Sequence, residues 1–227
     1  NECKIDLHSI HSEEISQENV NEKLGDFDAI LVAPGFGERG IDGKITACQF
    51  ARENKVPFLG ICLGMQICVV EYFRNELGFE EAHSSEINPD TQTPVINLME
   101  EQKSITKKGG TMRLGSYDCI LAEGSKTFEA YGKRKITERH RHRYEFNNNF
   151  MSELQNSDLK PVGINPNNGL VEVVELEGHP WYVGVQYHPE YKSTVLNPAP
   201  LFVDLIKAGK AHNEVKNDKV IDEALQG

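Results

Sequence analysis

No apolar run in the chain approaches the ~20 residues that a membrane-spanning helix needs, and no cationic start leads into an apolar stretch of the kind that forms a secretory leader. C-x-x-C pairs are missing as well. The five cysteines, Cys3, Cys48, Cys62, Cys68 and Cys119, are odd in number and scattered, which argues against a disulfide framework and against a zinc site. Positive charge is in short supply: Lys and Arg number 24 against 35 Asp and Glu, a net charge of -11, so nucleic acid and anionic membranes would be repelled. What is present is 227 residues, 38% hydrophobic and 26% charged, the balance of one α/β-sized unit with a substantial core. The chain therefore reads as a cytoplasmic protein with reduced thiols, whose ligands are small molecules.

The most informative stretch is residues 57–66, P-F-L-G-I-C-L-G-M-Q. A short apolar run ends in Gly60-Ile61-Cys62-Leu63-Gly64 and passes into an apolar helical run, which is the pattern of a nucleophile elbow. Two glycines allow a sharp strand-to-helix turn that lifts Cys62 off a sheet edge. The helix N-terminus then aims its dipole at the sulfur, which predicts a partly ionised, nucleophilic thiolate. A buried cysteine with no chemistry is the alternative for the pentapeptide taken alone.

Upstream, residues 4–10 alternate like a strand and 16–24 suggest a helix. Residues 27–33, F-D-A-I-L-V-A, read as the interior strand of a parallel sheet ending in Pro34-Gly35-Phe36-Gly37. Gly35 to Gly40 matches G-x-G-x-x-G, but the next strand ends in Cys62 where a dinucleotide site needs an acid. A loop here is better suited to holding an oxyanion, with backbone N–H groups from Leu63 and from Gly35; Pro34 has no N–H to give. Gln66 stands one helical turn after Cys62, where its amide either meets a substrate or is satisfied in the core. Residues 78–94 read as a polar loop containing Glu86, 99–110 as a mobile insertion, and 139–144, R-H-R-H-R-Y, as an extended segment with arginines on one face and histidines on the other. In so acidic a chain those arginines suit a small-molecule carboxylate or phosphate better than nucleic acid.

Residues 170–176 and 181–187 form a strand pair, the second ending in His188-Pro189-Glu190. In extended backbone His188 and Glu190 share a face, so the carboxylate can orient the imidazole as an acid/base toward Cys62. No further residue has metal-ligand spacing. A helix over 201–208 closes the unit, which spans 1–212 and leaves 213–227 as a polar, frayed tail.

G-I-C-L-G-M-Q with a later V-Q-Y-H-P-E resembles the class I, triad-type glutamine amidotransferases. G-F-G-E-R-G-I-D-G-K-I, G-G-T-M-R-L-G, E-R-H-R-H-R-Y-E and H-P-W-Y-V-G-V-Q-Y-H-P-E look, more narrowly, like the glutaminase domains of the CTP synthases. The resemblance implies a flavodoxin-like α/β fold with a mostly parallel central sheet flanked by helices. It implies a catalytic triad of Cys62, His188 and Glu190, an oxyanion hole at Gly35 and Leu63, and L-glutamine held by Gly35, Leu63, Gly64, Met65, Gln66, Glu86 and Arg143, with no metal and no cofactor in this domain. It further implies a synthetase domain of the same polypeptide, of which this sequence contains no part, using ATP and Mg2+ to aminate UTP with GTP as activator, in a homotetramer.

Two departures stand out. Relatives usually read P-G-G-F where this chain has Ala33-Pro34-Gly35-Phe36, and they carry an opening strand and helix before the segment that starts here. Two rival readings share the same residues. One is another cysteine hydrolase on the same elbow, such as a γ-glutamyl peptidase; the other is an interaction module in which Cys62 is inert.

Overall fold

The computed structural model describes residues 1–98 and 112–226, so the insertion expected at 99–110 lies outside the described residues. Its centre is a seven-stranded sheet in the order β1-β2-β10-β9-β8-β5-β6. β1 (Ile30–Val32), β2 (Phe58–Ile61) and β10 (Tyr182–Val185) run parallel. β9 (Val171–Leu176), β8 (Leu159–Ile164), β5 (Arg113–Leu121) and β6 (Lys135–His142) add four antiparallel pairings. The α/β sheet flanked by helices is thus as expected, but its parallel part is confined to the end that carries the elbow. A second sheet, β3 (Ala82–Ser84), β4 (Thr93–Asn97) and β7 (Glu145–Phe146), occupies part of the segment expected to be loop.

Side-chain alternation divides the core. Leu59, Ile61, Val173, Val183 and Val185 pack on Leu201 and Leu205 of the last helix, while Phe58, Val171 and Tyr182 face the layer of α2 (Ile41–Glu53) and α3 (Leu63–Asn75). Phe58 stacks on Tyr182 at 4.3 Å across the parallel pair. Full burial of each such side chain is worth about 1.5–3 kcal/mol. β2 and β10 are covered on both faces, hence their continuous apolar runs.

α1 (Val20–Leu24) is shorter than expected, because Asn19 folds the preceding residues into a turn, accepting from Ser16 N–H and donating to the Glu14 carbonyl. Residues 4–10 form no strand: Ile5 and Leu7 are exposed, and alternation makes a strand only where a sheet covers the apolar face. Two short helices, α4 (Lys126–Tyr131) and α5 (Met151–Asn156), connect the later strands. α6 (Pro200–Gln226) continues through the residues expected to fray. Among the described residues no helix is long and apolar enough to cross a membrane.

Candidate active site

The elbow is built as the glycine spacing demands. Cys62 adopts φ 53° and ψ −102°, a conformation that costs a non-glycine residue about 1–3 kcal/mol and persists only where its surroundings impose it. Those surroundings are specific. The Cys62 N–H donates to the Val185 carbonyl at 2.7 Å, and the Cys62 carbonyl accepts from Gln66 N–H as α3 begins. A Cβ on Gly64 would lie 2.2 Å from the Val32 carbonyl oxygen, and one on Gly60 would lie 2.7 Å from the Gly64 backbone, so both glycines are required for helix and strands to meet.

The sulfur itself differs from expectation. Cys62 is buried, and burial pushes its thiol up to about 12; the Leu63 amide opposes this, and the carboxylates of Glu190, Glu86 and Glu145 add to it. One helix N-terminus does not outweigh desolvation together with three acids, so the resting sulfur is a neutral thiol.

His188 lies beyond the end of β10, the strand whose Val185 carbonyl accepts from the Cys62 N–H. Its Nδ1 lies 2.6 Å from Glu190 Oε1, and its Nε2 is buried without a hydrogen-bond partner. The pair forms within a 3-10 turn, Pro189–Tyr191, rather than along extended backbone, because Pro189 occupies the first turn position with its fixed φ. The turn brings a residue that sequence reasoning did not single out: Tyr191 stacks on the His188 ring at 4.6 Å, with planes 5° apart. The His188 N–H is also tied to the Arg139 carbonyl of β6 at 2.8 Å.

Glu86 and Arg143 come together with the glycine loop. Burial raises the Glu86 carboxyl, while the Arg143 charge and the Gly37 amide act against it. Gly35 stands against Leu63, where an added Cβ would meet Leu63 Cδ2 at 3.2 Å. Met65 and Gln66 behave differently from the other expected glutamine contacts. The Met65 side chain is fully buried, directed at Gly184 of β10. Gln66 is also buried, with Nε2 donating to the Tyr144 carbonyl at 2.8 Å and to Gln186 Oε1 at 3.1 Å, which is the core-satisfied alternative.

Behind Arg143 lies a polar cluster that the sequence did not disclose. Arg113 bonds Glu145 Oε2 at 2.8 Å and Glu172 Oε1 at 2.7 Å, all three side chains buried. Burial pushes both acids up, Glu145 to about 8, because one guanidinium cannot compensate two carboxylates. His140 and His142, on the inward face of β6, touch at 2.9 Å; burial and then the Arg113 charge hold them at about 2 and about 3, neutral in the fold. The alternation of residues 139–143 did put the two histidines on one face, and the fold turns that face inward. Glu172, in the middle of a buried strand that also carries Glu175, was the available sign of buried charge. Among the described residues no group of three or more His, Cys, Asp and Glu could hold a metal ion.

The family model for glutamine amidotransferase class-I matches residues 1–208. The chain belongs to the class-I glutamine amidotransferase family. Within that family it is 59% identical over 215 residues to the CTP synthase of Flavobacterium johnsoniae, covering 94% of this chain and 40% of the relative. Against the CTP synthase of Clostridium beijerinckii it is 54% identical over 216 residues, covering 95% and 40%. The chain thus spans about 40% of the length of the curated relatives it matches. Among solved structures, the Trypanosoma brucei CTPS glutaminase domain with bound acivicin superposes with a TM-score of 0.86 at 33% identity, covering 92% of this chain and 82% of that one. A GMP synthase-type protein from Thermoplasma acidophilum, at 15% identity and a TM-score of 0.59 over 87% of this chain and 80% of its own, shares the fold.

Proposed function

We propose that this chain is the glutaminase domain of a CTP synthase, releasing ammonia from L-glutamine through a thioester on Cys62. The observation that carries the reading is the strained elbow beside the His188–Glu190 pair, with one acid and one base, Glu86 and Arg143, at its mouth. Free glutamine carries an α-ammonium and an α-carboxylate, and these two side chains supply their opposites. Glutamine would lie with its α-carboxylate on Arg143, its α-ammonium on Glu86 and its side-chain amide over Cys62, along the backbone of Gly64 and Met65.

His188 holds its Nδ1 proton against Glu190, which leaves Nε2 as the acceptor. As Sγ attacks the amide carbon, the thiol proton passes to Nε2, so the high resting pKa is no obstacle: the charge appears only when substrate is in place. The developing oxyanion falls to the N–H groups of Leu63 and Gly35. The imidazolium returns its proton to the departing nitrogen, and ammonia leaves. Water, deprotonated by His188, then cleaves the thioester to glutamate and restores the thiol. In this reading the ammonia is used by a synthetase domain of the same polypeptide, which aminates UTP with ATP and Mg2+ under GTP activation in a cytoplasmic homotetramer; no step in this chain depends on those groups.

The test is covalent. A glutamine analogue bearing a leaving group should modify Cys62 and spare Cys3, Cys48, Cys68 and Cys119, because only Cys62 sits on an elbow next to a base. Peptide mass spectrometry reads the outcome, and modification of Cys48 or Cys68 at a similar rate would refute the assignment.

A further inference from the structure

The segment that presents Arg143 is a two-residue bridge between the sheets. β6 of the large sheet ends at His142 and β7 of the small sheet begins at Glu145, leaving only Arg143 and Tyr144 to cross. A crossing this short has no ladder of its own, so its position depends on what grips it from outside. Three grips are visible. The Tyr144 carbonyl accepts from Gln66 Nε2 at 2.8 Å and lies 3.1 Å from His142 Nδ1. The Glu145 carboxylate is held by Arg113 at 2.8 Å, and Arg113 is anchored in turn by Glu172 and sits in register opposite His142. Gln66 also reaches Gln186, two residues before His188, so a single amide ties the nucleophile's helix, the acid/base strand and this crossing together.

Arg143, by contrast, has a buried Nε with no hydrogen-bond partner, and its guanidinium carbon lies 5.7 Å from the Tyr144 ring. Its backbone is fixed while a donor stays open. We propose that Gln66 and Glu145 are positioning residues for substrate recognition, holding the 143–144 crossing so that the Arg143 guanidinium meets the substrate's α-carboxylate. The proposal rests on the glutaminase reading above, and it gives Gln66 a role that needs no contact with substrate. Nε2 is shared between Tyr144 and Gln186, so both amide protons of Gln66 are engaged inside the protein. The grips come from opposite sides, α3 and β5, so either can be removed while the other remains.

The experiment is a double-mutant cycle on glutamine hydrolysis by the full-length protein. Gln66→Met removes the amide at similar volume, and Glu145→Gln keeps the shape of the side chain while replacing the carboxyl group that Arg113 holds. Each alone should raise KM for glutamine about tenfold with kcat within about twofold, and each should add less than about twofold in an Arg143→Ala background, the signature of groups acting through one side chain. Should one variant fail to fold, the other decides, since both reach the same crossing. A KM rise that persists undiminished in the Arg143→Ala background, an unchanged KM, or a fall in kcat at constant KM would overturn the proposal. The Arg143→Ala control separates the two readings: if it leaves KM untouched, Arg143 is not in the glutamine site and the inference falls with it, whereas a large effect there with additive cycles sinks the inference alone.

Discussion

At one end of the large sheet β1, β2 and β10 run parallel and place Cys62 and His188 side by side through backbone geometry; at the other, β5 and β6 are antiparallel and bring buried charge to bear on the side chain that would hold substrate. The first end is almost wholly apolar and works by steric exclusion, with glycines where a single methyl group would collide. The second is polar in its interior and works by electrostatic compensation, one guanidinium shared between two acids. The residues that specify the steric end, Gly60 to Gly64, lie within five positions of one another, although they pack against Val32 and Val185 of neighbouring strands. Those of the polar end do not: Arg113, Glu145 and Glu172 are distant in the chain and meet only because the sheet brings them together.

Breaking the steric end should have the largest effects. Cys62→Ala leaves no atom to form the thioester, and glutamine hydrolysis should fall at least ~10^4-fold, as when a nucleophile that works as a unit with its base is removed. In a full-length protein with a synthetase domain, CTP formation from added ammonium salts should survive the same change, because the sulfur is needed only to liberate ammonia. Loss of both reactions in a folded variant would place Cys62 in the structure or in the amination step instead. Gly64→Ala tests the geometry without touching the sulfur. With its Cβ at 2.2 Å from the Val32 carbonyl oxygen, α3 must shift, and activity should drop by orders of magnitude with a lower melting temperature. Near-normal turnover would show that the elbow tolerates displacement.

The polar end should give the intermediate effect. Arg143→Ala removes one member of an opposed pair at the site mouth, and the expected loss in glutamine binding is about 2–5 kcal/mol, seen in KM more than in kcat. Glu86 adds a sign test: Glu86→Gln should weaken L-glutamine but spare an analogue lacking the α-amino group. Equal losses for both compounds would mean that Glu86 serves the loop rather than the ammonium.

How much of this was legible follows the same division. Cys62, its two glycines, His188 and Glu190 could be read from spacing because each motif lies within one turn or one strand end. The 3-10 turn that carries Glu190, and Tyr191 stacking on His188, could not, since i and i+2 share a face in a strand and Pro189 overrides that. Gln66 was seen as an amide on the nucleophile's helix, but its partners Tyr144 and Gln186 arrive from the far end of the chain. The thiolate expectation failed for a related reason: a helix N-terminus can be read locally, whereas burial and the charges of Glu190, Glu86 and Glu145 are properties of the assembled site. Of the antiparallel half, β9 was legible as a member of the strand pair at 170–176 and 181–187, whereas β5 escaped because its run, R-L-G-S-Y-D-C-I-L, mixes apolar and polar residues whose partners lie in other elements.

The smallest effect sharpens the comparison from the apolar end, at His179. This ring is buried before β10, with Nδ1 accepting from Trp181 N–H at 3.2 Å and Nε2 at 3.1 Å from the Ala51 carbonyl. Those two contacts require the neutral form with its proton on Nε2, because protonating Nδ1 would set two N–H groups against each other. Burial accordingly lowers the ring to about 4 from an ordinary value near 6.5. A group depressed in the fold binds fewer protons there than in the unfolded chain, so its contribution to stability is intact above about pH 6.5 and is lost as pH falls toward about 4, at no more than ~1.4 kcal/mol per pH unit. His179→Asn keeps an acceptor near the Nδ1 position and cannot titrate in this range. Urea unfolding between about pH 6.5 and 4.5 should therefore show a shallower acid slope in the variant, by up to that amount per unit. His140 and His142, neutral for the same reason at the polar end, would continue to supply the remainder. An unchanged slope would mean that His179 is already protonated in the folded protein and that its two contacts do not hold it neutral.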